Sequence, residues 1–218
     1  MALSQKDLEG LFKEIVEWAR QQGCRVYCHW KKKTVNGSNG YFAASPVPHI
    51  RMGLLDRPIK RSLVLLLHEF CHFWQWKDGF LGRKDDLGNQ IYTRILNGEE
   101  VTPAERERAR KLVAYSEYDC ERRTAYLLKK WKLEEIISSK DYVRSANTYN
   151  RHVAWSIGDA QKPGSGVFFP DYDKCAEDLW GRQKSRWLTN SQVVAPINQK
   201  HAQVFEKALQ RFRKKKRS

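Results

Sequence analysis

Two histidines, a glutamate and a cysteine sit inside the run LVLLLHEFCHFWQW, Leu63 to Trp76, where almost every other residue is aliphatic or aromatic. Burying such groups without partners costs several kcal/mol, so they persist in an interior only when paired, hydrogen-bonded or bound to metal. A fold that accepts this run must supply those partners, which narrows the architectures open to the chain. Asp56 and Pro58 open a helix predicted to run to about Lys77, with Gly79 placed where a left-handed cap is wanted. Because that helix is apolar nearly all round, it is expected at the centre of the fold. His68, Glu69 and His72 spell H-E-x-x-H, and residues one turn apart project from one face toward a shared point. Two imidazoles so spaced bind one zinc ion, and apolar neighbours exclude water as a catalytic metal requires.

A catalytic zinc carries three protein ligands plus an open position for water. The third is sought on the helix whose start is best marked: Thr102 at the cap, Pro103 at the first helical position and Glu105 three residues on, continuing to about Trp131. On it Val113, Glu117, Cys120, Glu121, Thr124, Leu128 and Trp131 share a face at three- and four-residue steps. Glu117 is read as the third ligand. Glu121, one turn further, is read as the acceptor that holds a ligand imidazole by its other ring N–H, and the two roles are open to exchange. Asp119 is placed on the opposite, solvated side. The alternative is an ordinary charged helix in which Glu117 bridges Arg110, Lys111 or Arg123.

Elsewhere the pattern is mixed. Ser4 and Asp7 cap an amphipathic helix with Leu8, Leu11, Phe12, Ile15 and Trp18 at helical spacing, which reads as a helix and not a signal peptide. Cys24–Lys31, Gly40–Ala44 and His49–Gly53 read as strands, the first two as a hairpin across NGSNG, giving a small antiparallel sheet. Residues 81–98 read as a loop with at most a short helix around Gln90–Leu96. A further helix is expected from about Lys140 to Ser156 after Ser138 and Ser139, then an irregular KPGSGVFFPDYD and a closing helix from about Asn198. The expected class is α+β, one domain over residues 1–205 with a basic tail over 206–218.

A chain of 218 residues, 41% hydrophobic, supports one good core. No stretch approaches the roughly 18 apolar residues of a membrane span, so a cytoplasmic protein without membrane contact is expected. Five cysteines, none in a CxxC pair, argue against a disulfide framework and a zinc ribbon. Cys71 lies about 100 degrees around the helix from His72 and is assigned to core packing. CxxxCH at Cys24, Cys28 and His29 sends the thiols to one strand face and the imidazole to the other, so no second zinc is expected there. The tryptophans, Trp74, Trp76, Trp131, Trp155, Trp180 and Trp187 among them, are expected to fill the core. The net charge of +15, concentrated in Lys31–Lys33, Arg106–Lys111, Arg122 and Arg123, Lys129–Lys132 and Arg211–Arg217, suits nucleic acid or acidic partners, and equally a solvated basic surface.

HEFCH on a buried helix after an edge strand, followed by a helix bearing Glu-x-x-x-Glu, resembles the zincin superfamily of zinc metallopeptidases in its small gluzincin-like form. The compact, cytoplasmic ImmA/IrrE peptidases are examples. LLLHEFCHFWQWKDG is also similar to the motif helix of SprT-like proteases, which act on DNA-bound proteins. That family's third histidine has no counterpart in GFLGRKDDLGNQIY, and its closing CxxC ribbon is absent. The resemblance covers about Pro48 to Leu128 and implies hydrolysis of a protein or peptide substrate, with Glu69 as general base beside one zinc. An edge strand, taken as His49–Gly53, would hold the substrate extended. His152, Tyr149, Arg151 and Tyr142 are candidate donors to the developing oxyanion. Two other classes stand beside this one: a nucleic-acid-associated protein using its basic surface, and an accessory protein that keeps the fold without turnover.

Overall fold

The computed structural model describes residues 4–79 and 83–130 and, beyond them, residues 133, 136–138, 141, 142, 145, 146, 149 and 157. The chain is α+β. Its described residues form two compact units, the first from within Met1–Asp78 and Tyr126–Ile137, the second from within Gly79–Ala125 and Ser138–Val194.

The first unit opens with α1 (Gln5–Gln21), where Ser4 and Asp7 form the expected reciprocal cap: Ser4 N–H donates to Asp7 Oδ2 at 2.8 Å and Asp7 N–H to Ser4 Oγ at 3.3 Å. The apolar stripe of α1 is buried from Leu8 to Ala19. Strands β1 (Arg25–His29), β2 (Gly40–Ala43) and β3 (His49–Gly53) follow in spatial order β1-β3-β2. β1 runs parallel to β3 and β2 antiparallel to it, so the sheet is mixed and not the antiparallel hairpin-plus-strand expected. The sequence NG does make a tight turn, with Val35 and Ser38 exchanging hydrogen bonds across Asn36 and Gly37, both at positive φ. That turn closes a minor loop, and β3 takes the place between β1 and β2. β3 is therefore central, which removes it as the substrate-holding edge; the edges are β1 and β2.

Helix α2 (Ile59–Lys77) ends at Gly79, whose φ of +65° is the left-handed cap anticipated. Its Phe70 and Trp74 meet Trp18 of α1, with ring centroids 4.5 and 5.6 Å from the Trp18 ring, and Phe73 meets Phe42 of β2 at 5.9 Å. Val26, Ile50 and Met52 alternate inward beneath these helices. Trp76 departs from the core-filling expectation: it is 48% exposed and stacks on Phe73. Trp131, Trp155, Trp180 and Trp187 lie outside the described residues. Gly53 ends β3 where the backbone carbonyl of Lys33 and the amide of Thr34 leave no room for a Cβ. Gly53→Ala is expected to destabilise the protein by about 3 kcal/mol, read from a urea unfolding curve, because main chain cannot yield as a side chain can.

The second unit pairs α3 (Arg83–Leu96) with α4 (Pro103–Lys130) as far as Ala125. Where a loop was expected, α3 is a full helix. Its Leu87, Ile91 and Ile95, at four-residue steps, pack with Ala109 and Val113 of α4, and this burial outweighs the poor propensity of Asp, Gly and Asn. Gly88 lets the helices approach, since a Cβ there would lie 2.8 Å from Leu112 Cβ. α4 starts on the predicted capping box, with Thr102 N–H to Glu105 Oε2 at 2.8 Å and Glu105 N–H to Thr102 Oγ1 at 3.1 Å. The Thr102 amide, then Arg94 at 2.9 Å, hold the Glu105 carboxyl down to about 2. A carboxyl lowered on folding stabilises above its unfolded value of about 4.3 and loses that contribution as pH falls toward 2. Acid titration followed by NMR should therefore show Thr102 and Glu105 amide shifts moving only well below pH 4.

Past α4, Ser138 Oγ accepts from Asp141 N–H at 3.1 Å, and residues 141, 142, 145, 146 and 149 are helical, in line with a helix after Ser138. KPGSGVFFPDYD, the closing helix and the tail lie outside the described residues. Among the described residues no helix is long and apolar enough to cross a membrane.

Candidate metal centre and its surroundings

The one-turn spacing of His68 and His72 on α2 brings their rings to a centroid separation of 4.8 Å, nearly perpendicular at 86°. Two imidazoles on one tetrahedral ion, with Zn–N bonds of about 2.0–2.1 Å, place their ring centres roughly 5 Å apart. Both histidines are half-buried, while their helix neighbours Leu67, Phe70 and Cys71 are wholly buried. His72 Nδ1–H donates to Gln75 Oε1 at 2.8 Å, and Gln75 is itself buried. A donating Nδ1 is the tautomer in which Nε2 would be the ligating nitrogen. Sequence reasoning missed Gln75, although its three-residue step from His72 put it within reach.

Glu69 is buried, at 4% exposure. Its carboxylate lies against Gly40 of β2: a Cβ on Gly40 would come 3.0 Å from Glu69 Oε1 and 3.1 Å from Leu65 Cδ1. The absence of a side chain at position 40 thus gives the carboxylate its place beside the edge strand, a role that Gly40 gave no sign of in sequence.

In the second unit, Glu117, Cys120 and Glu121 occupy about one turn of α4, with Glu117 half-buried and the other two buried. The Tyr142 hydroxyl donates to Glu121 Oε2. Burial first, and then the Glu121 charge, push the Tyr142 phenol well above its ordinary value, so it remains a donor. Asp119 was expected in solvent and is instead buried: Arg123 Nε donates to its Oδ2 at 2.6 Å, with both side chains almost wholly enclosed. The i,i+4 Asp–Arg spacing was the available signal, overridden by counting faces. Arg110 and Lys111 both bridge Glu107. Tyr149 packs on the Ile91–Val113 cluster; His152 and Arg151 lie outside the described residues.

The other thiols behave as packing groups. Cys71 is buried, and burial pushes the Cys24 thiol up to about 12 and that of Cys28 in the same direction. A cavity of about 1300 Å³ in the first unit, lined by Phe12, Val16, Trp30, Leu54 and Arg57, does not include the histidines.

No protein-family model matches the chain, and no curated protein or solved structure matches it.

Proposed function

We propose that this chain is a zinc-dependent peptidase in which His68 and His72 hold the metal, a carboxylate of α4 completes the ligand set, and Glu69 is the general base. The observation that carries the reading is the facing pair of imidazoles 4.8 Å apart, one hydrogen-bonded to Gln75, beside a buried carboxylate. Glu117 is proposed as the third ligand; Glu121, already engaged by Tyr142, suits a supporting role.

The donor set, two neutral imidazoles and a carboxylate, fits zinc. Bound there, zinc supplies a Lewis acid and makes a neighbouring water more acidic. The chain's own residues do the rest. Glu69 accepts the proton of the attacking water and returns it to the leaving amine, a two-way task suited to a buried carboxylate beside Gly40 of β2. The edge of β2, unpaired among the described strands, holds a substrate segment extended by strand addition, placing its backbone beside Glu69. Tyr149 and His152 are proposed as donors to the oxyanion; the Tyr142 hydroxyl is already committed to Glu121.

Metal analysis of the purified chain tests the ligand assignment. One equivalent of zinc is expected, lost in His68→Ala or His72→Ala and kept in Glu69→Gln. Stoichiometric zinc in both histidine variants would end the assignment.

A further inference from the structure

The sheet has a second face, turned away from α1 and α2, and its chemistry differs from that of the first. Strand parity and register put Tyr27, Arg51 and Tyr41 in one row across the three strands, with Arg25 and His49 in the next. The Arg51 guanidinium lies over the Tyr27 ring, 5.2 Å from its centroid. The His49 ring sits 6.1 Å from each tyrosine and nearly perpendicular to both. Tyr27 is 38% exposed and Arg25 is exposed. From Cys24 to Leu55 the chain contains no aspartate or glutamate, while Arg25, Lys31, Lys32, Lys33 and Arg51 are all basic. The nearest carboxylate in sequence, Asp56, pairs with Lys33 at 3.5 Å.

From this juxtaposition we infer that the outer face of the sheet is a binding platform for single-stranded nucleic acid, on which bases stack against Tyr27 and Tyr41 while Arg25 and Arg51 meet the phosphates. Aromatic rings interleaved with guanidinium groups on an open sheet are the means by which unpaired strands are held, since every base has a π-face to stack and every phosphate a charge to neutralise. A duplex keeps its bases inside and gains nothing from the tyrosines. An acidic peptide would use the arginines and leave the rings idle. This inference stands independently of the zinc site, which lies on the helix packed against the opposite face.

The test is fluorescence anisotropy of the full-length protein with labelled oligothymidylate, oligouridylate and a blunt duplex over a salt series. Single strands are expected to bind more tightly than duplex. Tyr27→Leu and Tyr41→Leu, which keep bulk and remove the π-face, should each weaken single-strand binding by roughly tenfold or more, whereas Tyr27→Phe and Tyr41→Phe should retain it. Arg51→Gln should reduce the slope of log K against log salt by about 0.7. A preference for oligouridylate would identify RNA as the source of the strand, and a preference for oligothymidylate DNA. The proposal is overturned if the leucine variants bind as the parent does, if duplex binds as tightly as single strand, or if a polyglutamate peptide competes and shows the same tyrosine dependence.

Discussion

Glu69→Gln is expected to lower peptide hydrolysis by about 10²- to 10⁴-fold while the protein keeps its fold and its zinc. Gln is nearly isosteric with Glu, so it fits the same space beside Gly40, where a Cβ would come 3.0 Å from the Glu69 Oε1 position. What disappears is the capacity to accept a proton. The histidines are untouched, and the Gln75 bond that orients His72 does not involve residue 69. The variant thus separates proton transfer from metal binding: full hydrolysis in Glu69→Gln would remove the general base from the mechanism, whatever the zinc content. Peptide cleavage at matched zinc occupancy, parent against variant, makes the comparison.

Asp119→Ala is expected to destabilise the chain by about 3–5 kcal/mol. Arg123 remains charged at any accessible pH and its side chain is 1% exposed, so it cannot shed its proton or swing into water when its carboxylate is removed. Exposed pairs such as Arg110 with Glu107 behave differently; losing one of those costs about 1 kcal/mol or less. Urea unfolding followed by tryptophan fluorescence measures the difference. A loss below about 1 kcal/mol would mean that Asp119 and Arg123 act as a surface pair, contrary to their burial.

Elements with strong local signals were legible in the sequence. α1 and α4 begin at reciprocal caps whose hydrogen bonds are local, three residues apart, and α2 ends at a glycine whose left-handed φ only the backbone demands. Strand order was not legible, because nothing in Cys24–Leu55 tells β1 to pair with β3 in preference to β2; that choice depends on how the strands bury Val26, Ile50 and Met52 beneath the helices. α3 went unread for a related reason, its stripe of Leu87, Ile91 and Ile95 being interrupted by residues that favour turns. Of the candidate site, the histidine pair follows from helical periodicity alone. Gln75 as the partner of His72, and Gly40 as the surface against which Glu69 rests, emerge only once side chains are placed.

X-ray absorption at the zinc edge on the purified full-length chain tests the metal assignment most directly. The account predicts one equivalent of zinc with nitrogen and oxygen neighbours at about 2.0–2.2 Å and the outer-shell signature of two imidazoles. A protein that takes up no zinc, or whose zinc lacks imidazole scattering, would contradict it.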